Sequence, residues 1–419
     1  MKVFKFGGAS VKDSKSIKNI TRILKITGYN DTIIVISAMG KTTNALEFLV
    51  KDYMQGGSSY MDILNKIKED HLKIINDLFK KAKKSPYNDI VELTNELNNF
   101  LKINKSTDHS FIYDQVVCFG ELISTKIISF YLELEGIKNY WLDVRKCIKT
   151  DSYFRNAALN WNETGKLVKK ETKNKNTIIT QGFIASNSKG YSTTLGREGS
   201  DYTAAIFAFI LNSSSLTIWK DVPGVLNADP RYFKTTQLLK NISYREAIEL
   251  AYYGASVIHP KTLQPLQQKR IPLFVKSFEN PKGNGTKVFE GSKLNPLVPC
   301  FILKKNQILL ELSTLDFSFI VEENISQIFS LMDKYKVRVE MIQNSAISFA
   351  VCINDRYGKL KDLVLELNLK FKVEVKENVL LHTIRHFDNS SIKEIKESGK
   401  KILLEQRTYK TAQFVLSEN

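Results

Sequence analysis

The sequence predicts an α/β protein, a mostly parallel open sheet sandwiched between helices, followed by a smaller α+β region. Three observations predict it. Short apolar runs such as Thr32–Ile36 (TIIVI) are continuous rather than alternating, the mark of strands buried on both faces. Between such runs lie stretches with apolar residues at helical spacing, and this alternation argues for parallel strands joined by helices. After Pro299 the order changes to β-α-β-β and then recurs in shorter form, so the tail reads as two copies of one small unit.

In chain order, residues 3–6 form a short buried strand that ends at Gly7-Gly8. Residues 14–27 carry Ile17, Ile20, Ile23 and Leu24, a helical period. The strand at 32–36 follows, then a helix at 44–53, a loop at 55–60 (QGGSSY), and two helices in a Lys- and Leu-rich stretch to about residue 104. Residues 110–136 read as two more helices, broken near Phe119-Gly120. Apolar strands recur at 140–144, 177–180 and 216–219, each followed by helical sequence. Ser243-Tyr244-Arg245-Glu246 is a capping box that opens a helix through Tyr252. Residues 280–288 are a turn cluster and 291–299 a linker. Beyond it come ILLELST, a helix at 325–335, VRVEMIQ and ISFAVCI, and then VLLHTIRHF, a short helix around 392–397, KKILLEQRT and AQFVLS.

A chain of 419 residues exceeds one ordinary core, so two or three domains are expected. Hydrophobic content of 43% and charged content of 25% are those of a globular protein. The net charge of +17 is mostly Lys, spread along helical faces among Glu and Asp, with no basic tail or Arg-rich block. That pattern argues against a nucleic-acid partner and suits anionic substrates. No stretch approaches the roughly 18–20 uninterrupted apolar residues of a membrane span, and the start reads as a strand rather than a signal peptide. The expectation is a cytoplasmic protein with no membrane partner. Four cysteines, at 118, 147, 300 and 352, are far apart and fit reduced, buried thiols. The 5 histidines are scattered, nothing has metal-ligand spacing, and no metal site is expected.

Ligands of open parallel sheets bind beyond the carboxyl ends of the strands, and five loops at such ends are chemically loaded. Lys5-Phe6-Gly7-Gly8 can offer backbone N–H groups and a point charge to a phosphoryl group, although taken alone an ordinary tight turn explains it. Ser37 to Asn44 (SAMGKTTN) leads hydroxyl residues into a helix, where they can hold a carboxylate or phosphate or simply cap. Glu121, in Phe119-Gly120-Glu121, either complements a helix dipole or receives an ammonium group. In the loop 195–201 (LGREGSD), Gly196 and Gly199 permit unusual backbone angles and Arg197 can clamp a carboxylate with two N–H bonds. Ser200 and Asp201 stand where a helix starts, and capping is the simple reading of Asp201. Last, Lys220 and Asp221 enter a Pro-Gly turn that runs on to Asp229-Pro230-Arg231. A P-loop motif, the protein-kinase catalytic loop and a strand-linked G-x-G-x-x-G are absent.

KFGG at 5–8, the VISA loop, FGELIST at 119–125, LGREGSDYTAA at 195–205, WKDVPGV and ADPR within 219–231, and YGASVIHPKT at 253–262 come in one order. As an ordered set they resemble the aspartate kinases, members of the amino-acid kinase family, and the tail is similar to that family's paired ACT regulatory domains. The resemblance implies the three-layer αβα amino-acid kinase fold followed by a ferredoxin-like pair of ACT domains. It implies a catalytic domain at 1–290, a first ACT-like domain at 302–375, and a shortened second one at 376–419, completed by 297–301. The implied reaction moves the γ-phosphoryl of ATP, which carries Mg2+, to the side-chain carboxylate of L-aspartate. The product, 4-phospho-L-aspartate, feeds lysine, threonine and methionine biosynthesis.

By the same resemblance Lys5 stabilises the transferring phosphoryl group, with Gly7 and Gly8 donating from the backbone. Ser37, Thr43 and Ser200 lie near the substrate, Glu121 takes the aspartate ammonium, Arg197 its α-carboxylate, and Asp201 orients Lys5 or the substrate. Lys220, Asp221, Leu226, Arg231, Ser256 and Lys261 border the nucleotide. Three positions depart from the family pattern. Glu198 replaces a small or neutral residue and either points to solvent or pairs with a cation. Leu226 replaces an aromatic, and Ser256 a lysine that Lys261 either substitutes for or does not. His259 reads as a structural histidine before Pro260. The ACT resemblance further implies a homodimer and an amino-acid effector, lysine first and threonine second, held by Ser313, Leu315, Asp316 and Phe317 against Val339, Glu340, Met341 and Ser345. Glu340 would receive a side-chain ammonium or else be an exposed strand residue. With no homoserine dehydrogenase half before Asn419, a monofunctional enzyme is expected. The rival readings are an amino-acid kinase for glutamate, acetylglutamate or carbamate, and a non-catalytic amino-acid sensor. The paired ACT-like tail and FGELIST favour aspartate, and the intact Lys5, Glu121, Arg197 and Asp201 favour catalysis.

Overall fold

The computed structural model describes every residue except Lys81, Lys83, Lys84, Ser256, Val257, Ser292, Phe317 and Asn419. The chain divides into two compact units, one of residues 1–225, 238–248 and 257–294, the other of 226–237, 249–256 and 295–419. The first unit begins with β1 (Lys2–Phe6) and α1 (Ser14–Thr27), which starts where the Asp13 carboxylate accepts the Ser16 N–H at 2.7 Å. Next come β2 (Thr32–Ile36), α2 (Thr42–Met54), α3 (Tyr60–Phe79), α4 (Tyr87–Ile103) and α5 (His109–Leu134). Then follow β3 (Tyr140–Leu142), β4 (Lys149–Thr150), α6 (Trp161–Thr172), β5 (Thr177–Gln181), β6 (Ile184–Asn187), β7 (Ser192–Thr194) and α7 (Gly199–Ile210). The rest is β8 (Leu216–Lys220), β9 (Asn241–Ile242), α8 (Tyr244–Tyr253, whose residues from Glu249 on fall in the second unit), α9 (Pro260–Gln268), β10 (Leu273–Ser277) and β11 (Thr286–Val288).

The main sheet has the order β3-β5-β2-β1-β8-β10-β11-β9 and is parallel except between β10 and β11. Every residue of β2 and β5 is buried, as continuous apolar runs require when helices cover both faces. Lys5 sits beside Val35 on one side and Ile218 on the other, so it lies on the central strand near its carboxyl end.

Three expectations are corrected. The helix α5 runs unbroken through Phe119-Gly120, because Gly120 serves a close approach and not a turn: a Cβ there would stand 3.0 Å from the Ala38 Cβ and 3.3 Å from Leu46 Cδ1. Its apolar length, enough by composition to cross a membrane, is 89% buried inside the unit, as a core helix is. The strand at 140–144 stops at Leu142, where the Asp143 carboxylate accepts the Arg145 N–H at 3.1 Å and starts a short 3-10 turn. No helix follows β5; instead β6 and β7 form a hairpin, turned at Gly190 (φ +83°), that pairs with β4 as a separate small sheet.

The second unit contains β12 (Cys300–Thr314), α10 (Glu322–Lys334), β13 (Arg338–Asn344), β14 (Ser348–Asn354), α11 (Leu360–Leu367), β15 (Phe371–Arg385), α12 (Asn389–Lys396), β16 (Ile402–Arg407) and β17 (Thr411–Leu416). Their sheet is antiparallel, in the order β13-β14-β12-β15-β17-β16. The long strands β12 and β15 are shared: Gln307–Thr314 lies in the half of β12 that pairs with β14, while Cys300 to Lys304 pairs with Leu381 to Arg385. Two cores result, one of Leu310, Leu312, Ile328, Phe349 and Leu363, the other of Ile384, Ile392, Ala412 and Phe414. Leu309, Met341, Cys352, Leu381 and Val415 fill the opposite face of the sheet, as period-two alternation along β12 demands. The segments 226–237 and 249–256 join this unit: the Asn227 carbonyl accepts the Phe301 N–H at 2.7 Å, and Arg385 reaches Glu249 at 3.2 Å.

Candidate active site

Four neighbouring strands, β5, β2, β1 and β8, end together, and the loops beyond them touch. The Phe6 carbonyl accepts the Ser37 N–H at 3.1 Å, the Ile36 carbonyl the Gly182 N–H at 2.9 Å, and the Gly8 carbonyl the Gly40 N–H at 3.1 Å. A Cβ on Gly8 would stand 3.0 Å from the Gly40 carbonyl oxygen, and one on Gly7 3.3 Å from Lys5 Nζ. Glycine is thus required where these loops close on each other and on the lysine. The amino end of α7 is equally tight, since a Cβ on Gly182 would lie 2.5 Å from that of Ser200. Asp201, buried in the first turn of α7, pairs with Lys5, its Oδ1 2.6 Å from Lys5 Nζ. The capping reading of Asp201 is therefore replaced: the carboxylate serves Lys5, and the Glu198 carbonyl, not a side chain, receives the first N–H bonds of the helix.

Glu121 lies in mid-helix, not at a helix start. The close approach at Gly120 carries it to the β2 loop, where its Oε1 accepts the Ala38 N–H at 3.3 Å and Ser124 Oγ donates to the Ser37 carbonyl at 2.8 Å. Its Oε2 is buried and has no hydrogen-bond partner among the described residues. Burial pushes its carboxyl up to about 8. A cation brought beside it would favour the ionised form. Ser37 is half-buried beside it. The helix α2 starts at Thr42 with Lys41 in the capping position and no side-chain cap, so neither Thr43 nor Asn44 caps it.

Arg197 is exposed on the loop before α7. Glu198 has φ +54° and is half-buried, with Oε2 closed off and unpartnered among the described residues. It does not point to solvent. Burial raises its pKa, with Asp201 adding to the rise and Lys220, Arg197 and Lys5 opposing it. Lys220 ends β8 and Asp221 is exposed just beyond it. Lys261 Nζ donates to Asn156 Oδ1 at 2.6 Å, the atom against which Gly196 also packs. His259 caps α9 through Nδ1, which accepts the Lys261 N–H at 3.1 Å.

Other expected residues fall elsewhere. Leu226 and Arg231 belong to the second unit, and the Arg231 guanidinium is held at 2.6 Å by Asp229. Ser256 and Phe317 lie outside the described residues. In the second unit the loop after Ser313 meets the β13–β14 turn, where the Ala346 carbonyl accepts the Ile320 N–H at 2.9 Å. Leu315 and Asp316 are exposed there, with Asp316 accepting the Ser318 N–H at 3.1 Å, and Ser345 is exposed on the turn. Val339 is half-buried. Two expectations change. Met341 is buried in the sheet core, because a bulge between Val339 and Met341 turns it inward. Glu340, the bulged residue, is neither exposed nor free: Lys304 Nζ lies 2.5 Å from its Oε2 and Arg338 Nε 3.1 Å from its Oε1.

One buried charge near these loops was not read from the sequence. Asp114, two helical turns before Glu121 on α5, is buried and accepts from Arg155 N–H at 2.9 Å, Thr194 N–H at 2.9 Å and Thr194 Oγ1 at 2.8 Å. It anchors the strand that leads into the Arg197 loop. Its spacing from Glu121, seven residues on one helical face, is the only signal the sequence carries.

Residues 1–277 match the model of the amino acid kinase family. The chain is 31% identical over 390 residues to lysine-sensitive aspartokinase 3 of Escherichia coli, covering 90% of this chain and 85% of that protein. It is 31% identical to a chloroplastic bifunctional aspartokinase/homoserine dehydrogenase of Arabidopsis thaliana over 88% of this chain, and spans 42% of that relative's length. Crystal structures of E. coli aspartokinase III, one with lysine and aspartate in a T-state and one with aspartate and ADP in an R-state, superpose with a TM-score of 0.82 at 28% identity, covering 100% of this chain and 96% of theirs. The amino-acid kinase architecture and the C-terminal antiparallel regulatory sheet are thus those of solved relatives, and the chain belongs to the amino acid kinase family, among the aspartokinases.

Proposed function

We propose that this chain is an aspartate kinase, ATP:L-aspartate 4-phosphotransferase. It moves the γ-phosphoryl of ATP to the side-chain carboxylate of L-aspartate and is regulated by an end-product amino acid. The observation that carries the reading is one cluster: the buried Lys5–Asp201 pair at 2.6 Å, between a glycine-lined strand end and the amino end of α7, with the unpartnered Oε2 of Glu121, on α5 against the β2 loop. The relatives solved with aspartate and ADP support it.

In this reading Lys5 holds charge on the transferring phosphoryl group, and Asp201 keeps its ammonium in place. Gly7 and Gly8 offer N–H groups to phosphate, and Mg2+ enters with the nucleotide, whose oxygens supply its ligands. Phosphoryl transfer needs positioning and charge stabilisation more than covalent chemistry, which is what these groups provide. Glu121 takes the aspartate ammonium and Arg197 the α-carboxylate, so the side-chain carboxylate is left toward Ser37, Thr43 and Ser200. Lys220, Asp221 and Lys261 serve the nucleotide side. We divide the chain into a catalytic domain at 1–290 and ACT-like domains at 302–375 and 376–419, the second completed by 297–301, which the pairing of Cys300 to Lys304 with the end of β15 supports. Four buried cysteines, none of them in a disulfide, are in keeping with a cytoplasmic protein, and we expect a homodimer. Lysine is the effector we put first, threonine second. The side-chain ammonium of lysine would exchange with that of Lys304 at Glu340.

The test is ATP consumption with and without L-aspartate, with the acyl phosphate trapped by hydroxylamine. ATP consumption and hydroxamate that both require aspartate support the reading. Preference for glutamate or acetylglutamate would move it to another amino-acid kinase, and binding without turnover would leave a sensor.

A further inference from the structure

Glu198 carries two costs at one residue. Its backbone is left-handed (φ +54°), a conformation that suits glycine and strains a residue with a Cβ, in a loop that already has glycine at 196 and 199. Its Oε2 is closed off from solvent with no hydrogen-bond partner among the described residues. The side chain is not needed to start α7, because the Glu198 backbone carbonyl accepts the Asp201 and Tyr202 N–H groups at 3.0 and 3.2 Å. Costs of this kind persist where they serve a function. The charged groups around this carboxyl are Asp201 on α7, Lys220 at the end of β8, Arg197 on its own loop and Lys5 on β1. The Glu198 carbonyl accepts the N–H of Asp201, whose carboxylate holds Lys5 at 2.6 Å, so Glu198 belongs to the cluster that the kinase reading assigns to the phosphates, on which this inference rests.

An ionised Glu198 beside Asp201 would repel incoming phosphate. A protonated one would offer an O–H donor to it. We propose that Glu198 is a further residue of the phosphoryl-transfer site and acts there as a neutral acid. As the nucleotide phosphates bind, its carboxylate takes a proton from solvent, and the new O–H donates to a phosphate oxygen. Burial and the neighbouring Asp201 already favour that protonated form. The sign follows from linkage: the complex holds a proton that the free protein holds less often, so nucleotide affinity falls as pH rises, by up to about tenfold per pH unit.

Isothermal titration calorimetry of the full chain with ADP, with and without Mg2+, tests this in buffers of different ionisation enthalpy between about pH 6.5 and 9. The wild type is expected to take up protons on binding and to lose affinity with rising pH. Glu198→Gln is expected to bind with little uptake and a flatter pH profile. Glu198→Gly, which suits the left-handed backbone and so guards against loss of fold, should behave like the Gln variant. Equal proton uptake in wild type and both variants overturns the proposal. So does absence of uptake in the wild type combined with a Mg2+ dependence that Glu198→Gln abolishes, since the carboxylate would then be a metal ligand. A wild type that binds no ADP sinks the kinase reading itself, whereas ADP binding without a proton difference sinks only the role of Glu198.

Discussion

Replacing Glu121 by Gln keeps the shape of the side chain and its acceptor for the Ala38 N–H, and removes only the ionisable group. In the folded chain this carboxyl is pushed up to about 8 by burial, against an ordinary value of 4.5. A group whose folded pKa is raised binds a proton in the native state that the unfolded chain has already released. Its contribution to stability is therefore present below about pH 4.5 and is lost as pH rises through about 8. The gap corresponds to an upper limit on the order of 5 kcal/mol at 1.36 kcal/mol per pH unit, reduced by whatever relaxation brings water to Oε2. Urea unfolding of ligand-free wild type and Glu121→Gln near pH 4.5 and near pH 9 measures it. All other groups titrate in both proteins and cancel in the comparison. The variant is expected to match the wild type at the lower pH and to exceed it by several kcal/mol at the higher one. At high pH, aspartate should then stabilise the wild type, by about 2.7 kcal/mol at a hundredfold excess over Kd, and hardly stabilise the variant. A wild-type-minus-variant difference that stays constant within about 1 kcal/mol across this range would show that Glu121 is not a buried, unpaired carboxylate awaiting a cation.

Arg197→Ala should raise the aspartate KM far more than the ATP KM, since a lost charge-assisted contact costs on the order of 2–4 kcal/mol; an unchanged aspartate KM in a folded variant removes Arg197 from the substrate site. Lys5→Ala should lower kcat by roughly a hundredfold or more with the fold kept by circular dichroism, and a kcat within a few-fold of wild type would leave Lys5 a structural partner of Asp201. Gly120→Ala places a Cβ 3.0 Å from that of Ala38, so thermal unfolding should register a loss of about 1–3 kcal/mol and aspartate binding should weaken with it; an unaffected variant means the two segments can part freely. Lys304→Met removes the internal ammonium from Glu340 and should lower the lysine concentration that half-inhibits the kinase, whereas Glu340→Ala should abolish inhibition by lysine; inhibition curves that overlay the wild type for both variants would place the effector elsewhere.

The sequence by itself determined the fold class, most of the strands and helices, and which loops stand at the strand ends. It did so because strands covered on both faces must be continuous apolar runs, and because glycines, an Arg and an Asp gathered at strand ends have few other uses. Lys5, Gly7, Gly8, Glu121 and Asp201 were legible that way, as were the two β-α-β-β passages of the tail. Tertiary structure alone decided what each charge meets. Gly120 reads in sequence as a helix break, yet it is an approach surface, because only the neighbouring loop reveals what a Cβ would strike. Asp201 reads as a cap until Lys5, some two hundred residues earlier, proves to be its partner. Glu340 reads as a free or exposed carboxylate until the bulge in β13 brings Lys304 and Arg338 onto it and turns Met341 into the core. Asp114 gave little signal beyond its spacing from Glu121, since its three partners come from segments 41 and 80 residues away. Periodicity and turn chemistry are local and survive in a linear text. Hydrogen bonds and ion pairs between distant residues depend on which loops the sheet order brings together, and that is fixed only when the strands β5, β2, β1 and β8 lie side by side.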